Sequence, residues 1–171
     1  RQDRRDALMN EAAPALFVAL EASAAGAAIR QSSWLYMAAN VGHIVALVVF
    51  AGAIAIMDLR MAGAFAATSP GYVLRMARRW AIGGFLGLLA TGAILFTAEA
   101  SHVILNTVFQ FKLFLIALGL LNVLVFVFAV APRVREAKQL AALPTGAWIS
   151  GIASLCIWIA VAAAGRTIAY F

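Results

Sequence analysis

Two histidines, Lys112 and a few carboxylates and amides interrupt or border stretches of chain that are otherwise apolar, and these residues set the chemistry open to the protein. His43 stands within a long uncharged run, and Asn40, three residues earlier, shares its face on a helix. His102 stands just beyond another run, beside Glu99 and Ser101. Ionisable groups inside a bilayer are costly, so Asn40, His43, Asp58, Glu99, His102, Lys112 and Asn122 are each functional candidates. A neutral imidazole ligates metal, and two histidines on different segments can supply both axial ligands of a haem iron. His43 and His102 are therefore the candidate metal ligands. The competing readings are a His43 bonded to a neighbouring carbonyl or Asn, and a His102 that is an ordinary loop residue. The chain has no Cys-x-x-Cys-His, so such a haem would be non-covalent.

Three other groups carry paired readings. Lys112 can snorkel to the interface and pair with Glu99, or its ammonium can hold a haem propionate. Gly83 and Gly87 are one helical turn apart, with Gly92 beyond; they either admit a neighbouring backbone or offer a bare surface for a flat cofactor ring. Asp58-Leu59-Arg60 reads as a helix-end clamp pairing with Arg78 or Arg79.

The elements that must position these residues follow from four uncharged runs, Gln31 to Met57, Trp80 to Ala98, Leu113 to Pro132 and Gln139 to Gly165. Each is near or above the ~20 residues that a helix needs to cross the hydrocarbon layer. The expected fold is all-α: an integral membrane four-helix bundle with spans at about 33–58, 80–98, 107–131 and 146–165. Asn106 and Thr107 are placed to cap the third span. Composition agrees, with 65% apolar residues, 12% charged and a mean hydropathy of +0.96. A soluble bundle would show a polar stripe every ~3.6 residues, whereas residues 46–57 are apolar all round.

Residues 1–30 form the tail and an N-terminal interfacial amphipathic helix, in which Leu16, Phe17, Leu20 and Ala24 share one face; residues 31–171 form the transmembrane domain. No cleavable signal peptide is legible, and Met9 is a candidate native start. The single cysteine, Cys156, lies mid-span, where a buried packing role is expected. Trp34, Tyr36, Trp80, Trp148 and Tyr170 fall near span ends as an interfacial aromatic belt.

The net charge of +6 reflects basic residues at helix ends, which suit anionic lipid head groups better than nucleic acid. Arg60, Arg75, Arg78 and Arg79 join the first two spans, and Arg133, Arg135 and Lys138 join the last two. The positive-inside rule puts both loops in the cytoplasm and both termini outside, the periplasm of a bacterium. Arg1, Arg4 and Arg5 are remote from the first span and offset by acidic residues. There is no His-Glu-x-x-His, no Gly-x-Ser-x-Gly and no Gly-rich phosphate loop, which argues against a free-standing hydrolase or transferase.

Asn40-Val-Gly-His43-Ile-Val-Ala-Leu, Met57-Asp-Leu-Arg-Met-Ala-Gly63 and Asn106-Thr-Val-Phe-Gln-Phe-Lys112-Leu resemble an uncharacterised bacterial family of small four-span membrane proteins. That resemblance implies His43, the Asp58-Leu59-Arg60 turn and Lys112 as characteristic positions. The first span also looks distantly like the copper-resistance D proteins and the four-helix di-haem cytochromes b. A di-haem protein needs four histidines and this chain has two, which leaves one haem at most. The expected function is an inner-membrane subunit that binds one b-type haem near the periplasmic face. It would pass electrons between a quinone or partner subunit and a periplasmic redox protein. His43 and His102 would be the axial ligands, with Asn40, Lys112, Gly83 and Gly87 completing the site. Two alternatives stand beside it: a cofactor-free accessory subunit of a larger membrane complex, and a copper-handling protein using His43 and Met37.

Overall fold

The structure, a computed structural model, describes residues 13–136 and 143–170. Expectations resting on Arg1, Arg4, Arg5, Met9 and Lys138 lie outside the described residues. Two short helices, α1 (Ala15–Ala22) and α2 (Ala24–Gln31), precede α3 (Ser33–Met61) and α4 (Pro70–Ala98). The short α5 (Ala100–Leu105) leads into α6 (Thr107–Val125), which continues through a π-helical turn (Phe126–Val130) into α7 (Ala131–Glu136). The chain closes with α8 (Thr145–Thr167) and a 3₁₀ turn (Ile168–Tyr170). Among the described residues there is no strand, and α3, α4, the continuous helix Thr107–Val134 and α8 are each long and apolar enough to cross a membrane. The protein is an all-α, multi-pass membrane bundle.

Helix starts follow local chemistry. Ser32 Oγ accepts from Leu35 N–H at the head of α3. At the head of α6 the expected cap forms at Asn106, whose Oδ1 accepts from the N–H groups of Val108 and Phe109. Pro70 takes the first position of α4, where its missing N–H costs nothing. The second helix therefore begins ten residues before the uncharged run does. Arg75, Arg78 and Arg79, expected in a loop, lie on its first turns. Charge ends an apolar run without ending a helix, because an arginine is a good helix former and its head leaves the hydrocarbon.

The N-terminal expectation changes as well. Ser23 is extended (ψ 160°), and its hydroxyl oxygen accepts from Gly26 N–H to start a new helix. The single amphipathic helix is thus two short ones, and Ala24 leaves the stripe of Leu16, Phe17 and Leu20. Phe17 packs edge-on to Phe96 of α4, with ring centroids 5.8 Å apart.

α3 packs along α4 on one side and α8 on the other, and α8 in turn packs along α6. Small residues permit the close approaches, since helix association in lipid rests on packing and polar contacts and not on expelling water. A Cβ on Gly84 would lie 2.7 Å from the backbone nitrogen of Phe50, and one on Gly151 would lie 2.9 Å from the carbonyl oxygen of Asp58. Outward faces carry large apolar side chains such as Val48, Leu86, Phe114 and Ile159, all exposed to the lipid region. Cys156 is exposed too, which corrects the expectation that it is buried.

α4 and α6 do not pack along their length. At one end of the bundle, called here the hairpin end because α1, α2 and α5 gather there, Phe96 and Phe109 stack across the gap at 5.5 Å. At the other, basic end, α7 packs against α4. The bundle is open on one side between these two closures.

Candidate functional site

The expected haem residues lie toward the hairpin end. His43 Nδ1 is 2.8 Å from Thr91 Oγ1, and the Thr91 hydroxyl lies 2.6 Å from the Gly87 carbonyl oxygen. Threonine has one hydrogen to give, and the carbonyl can only accept it, so Nδ1–H of His43 donates to Thr91. Nε2 then carries the free lone pair. His102 is exposed on α5, which is helix where a loop was expected, and it makes no side-chain hydrogen bond among the described residues. Asn40 is exposed on α3. No group of three or more His, Cys, Asp or Glu side chains gathers to hold a metal among the described residues.

The glycines of α4 divide. A Cβ on Gly87 would meet the Ala46 side chain at 3.0 Å and one on Gly92 would meet His43 Cε1 at 3.3 Å, whereas Gly83 faces open space. Gly87 therefore serves the α3–α4 contact, while Gly83 lies outside that contact. Lys112 does not pair with Glu99; its Nζ lies 3.3 Å from where a Gly165 Cβ would stand, against α8. The one ion pair among the described residues joins Arg30 to Glu21 at 4.0 Å.

Asp58 makes no clamp with Arg78 or Arg79 either. Arg60, almost fully buried, donates from Nε and Nη2 to the Thr68 carbonyl oxygen and so fixes the α3–α4 loop. Asp58 turns instead toward α8, where Gly151 admits its backbone and Ser154 faces its carboxyl. Its Oδ2 is buried with no hydrogen-bond partner among the described residues, and so is the Nε1–H of Trp158, one helical turn beyond Ser154. An unmade hydrogen bond on a buried group costs roughly 1–3 kcal/mol, which makes two such groups on one wall unusual.

Asp58 and Trp158 are both lining residues of one cavity, about 650 Å³ in volume, on the open side of the bundle. Phe50, Phe85 and Trp158 form an aromatic wall, with Phe50 and Trp158 edge to face at 4.6 Å. Ile82, Leu86, Leu120 and Val123 flank the gap between α4 and α6, where the cavity meets the lipid-facing surface. At the basic end Arg75 and Arg78 border it. The Asn122 amide donates to the Ser150 carbonyl oxygen while its own oxygen accepts from the Ser150 hydroxyl, so this pair is satisfied within the wall. Phe126 and Val127, in the π-helical turn, complete the side formed by α6. Pockets lined by apolar side chains with a few convergent polar groups are the usual seats of small molecules.

Sequence reasoning named Asp58 and Asn122 as costly intramembrane groups but missed Trp158 and the cavity. Trp158 was the one tryptophan not at a span end, and that was the available signal.

Neither the curated proteins nor the solved structures contain a significant match to the chain, and so no copper-resistance or cytochrome b protein is among its matches. A family model covers nearly all the described bundle: the chain belongs to the family of unknown function DUF6644, which matches residues 17–171.

Proposed function

We propose that this protein is a bacterial inner-membrane subunit that holds a lipid-soluble small molecule in the side-opening cavity between α4 and α6. The observation that carries this reading is that the two residues with a buried, unpartnered polar atom among the described residues, Asp58 (Oδ2) and Trp158 (Nε1), both line one apolar cavity. A ligand that hydrogen-bonds to both would offset their burial cost. Entry between Leu86 and Val123 needs no passage through water. By the positive-inside rule Arg75, Arg78 and Arg79 support a cytoplasmic basic end, which would put the cavity in the cytoplasmic half and both termini in the periplasm. Native mass spectrometry of protein released from lipid nanodiscs tests the proposal. Wild type should carry an added mass that organic solvent extracts, and the window-plugging double variant Leu86→Trp/Val123→Trp should lose it while keeping its thermal melt. Equal content in the two proteins would sink the reading.

A second reading, haem binding at the periplasmic half, is favoured by the His43–Thr91 contact. Metal-ligating histidines usually donate their other ring N–H to a fixed acceptor, which is what His43 does through Thr91. In this reading His43 supplies one axial ligand and His102 on α5 the other, with Lys112 near a propionate; electrons pass between a quinone or partner subunit and a periplasmic redox protein. A reduced-minus-oxidised optical spectrum with a haemochrome assay decides it. A b-type band at about one haem per chain, lost in His43→Ala, supports it; a flat spectrum from gently purified protein removes it.

A further inference from the structure

The chemistry of the cavity wall narrows its occupant. Asp58 Oδ2 calls for a donor, and Trp158 Nε1–H, which can only donate, calls for an acceptor. Charge restricts the choice further. A cationic head would meet the field of Arg75 and Arg78 at the basic end of the cavity, and an anionic head, which can only accept, would leave Asp58 Oδ2 without a donor. A neutral head bearing both a hydroxyl and a second oxygen satisfies every group.

Shape points the same way. Phe50, Phe85 and Trp158 present rings at interplanar angles of 82° (Phe50 to Trp158), 42° (Phe50 to Phe85) and 71° (Phe85 to Trp158), an array that favours another flat ring meeting edges and faces. Along α8, Trp158 stands one turn, ~6 Å, from the level of Ser154 that Asp58 faces. The gap flanked by Ile82, Leu86, Leu120 and Val123 is apolar and leads to lipid, which suits a hydrocarbon tail.

Resting on the cavity reading above, we infer that the ligand is a hydroxylated aromatic head on an aliphatic tail, of the phenol or hydroquinone class. Its hydroxyl donates to Asp58, and its far oxygen accepts from Trp158. Asp58 and Trp158 select the head, and the α4–α6 gap holds the tail.

The test is equilibrium binding to the full chain in nanodiscs, with decylhydroquinone, its dimethyl ether, decyl phosphate and decylammonium as probes. Decylhydroquinone should bind tightest. Methylating both hydroxyls, or introducing Asp58→Leu, should weaken it by about tenfold or more, and Trp158→Phe should weaken the parent probe by several-fold. The dimethyl ether needs no variant, so the comparison holds even if Asp58→Leu fails to fold; Asp58→Asn, which keeps one acceptor oxygen, should lose less than Asp58→Leu. Equal or tighter binding of either charged probe, or indifference to methylation, overturns the head-group assignment. If decylhydroquinone fails to displace a native mass that the window-plugged variant lacks, the ligand class is wrong and the cavity reading stands. If neither plugging nor any probe changes the content of the protein, both fall.

Discussion

Glu21 and Ser101, eighty positions apart in sequence, are joined by two hydrogen bonds: the Glu21 Oε2 accepts from the Ser101 backbone N–H at 2.8 Å and from its hydroxyl at 2.5 Å. A carboxylate that looks costly beside lipid thus satisfies an otherwise unpaired donor at the start of α5, a placement that the helix dipole also favours. Arg30 completes the joint by donating to the carbonyl oxygens of Glu21 and Ala98. The N-terminal hairpin is tied to the α4–α5 corner through these contacts.

Glu21→Ala should therefore loosen the corner without unfolding the bundle. Hydrogen bonds to charged groups contribute about 1.5–3 kcal/mol, so amide exchange across residues 99–105 should accelerate by at least tenfold while exchange in α8 stays unchanged. Uniform acceleration through the whole chain would show instead that the hairpin is part of the global fold.

Thr91→Val removes the acceptor of the His43 Nδ1–H while keeping the shape of the side chain. Net loss of one such bond is about 1 kcal/mol, and the imidazole is then free to change tautomer. Nitrogen-15 spectra of ring-labelled histidine should show the Nδ1–H form of His43 in wild type and a mixture in the variant. An Nε2–H form in wild type would contradict the donor assignment made from Thr91 and Gly87.

Two neighbouring glycines should respond in opposite directions. Gly84→Ala places a Cβ 2.7 Å from the backbone of Phe50, so α3 and α4 must separate, at about 1–3 kcal/mol. Gly83→Ala meets nothing within 4 Å and gains up to about 1 kcal/mol from the stiffer helix backbone. Unfolding in mixed detergent micelles measures both. Similar losses at the two positions would mean that the helix pair packs in another register.

How far these features can be read from the chain depends on what each one rests on. The spans were legible because length and apolarity are local properties, and so was the Asn106 cap, whose oxygen bonds two and three residues ahead. The start of α4 was not, because Arg75, Arg78 and Arg79 mark where hydrocarbon ends and not where the helix does. The cavity is a property of helices that do not touch. Nothing in the sequence of α4 or α6 says that α3 and α8 will stand between them. The chain alone therefore suggests that Asp58 pairs with Arg78 or Arg79, although its carboxyl faces α8, some ninety residues away, and it is Arg60 that fixes the loop.

Asp58 itself offers the sharpest separation of stability from function. In a wall built only for packing, a buried carboxyl oxygen with no partner is a defect, and replacing it with a side chain of similar size relieves about 1–3 kcal/mol. Asp58→Leu should consequently raise the melting temperature of ligand-stripped protein in nanodiscs while abolishing the ligand-dependent stabilisation that wild type shows. Functional sites commonly carry this trade, since the group that recognises a ligand is strained when alone. If the contact of the carboxyl with Ser154 outweighs the unpaired Oδ2, the result differs: removal lowers stability with and without ligand alike. Lower stability of Asp58→Leu under both conditions would therefore move Asp58 from the binding site to the scaffold, and the cavity would lose the residue that gives it chemical character.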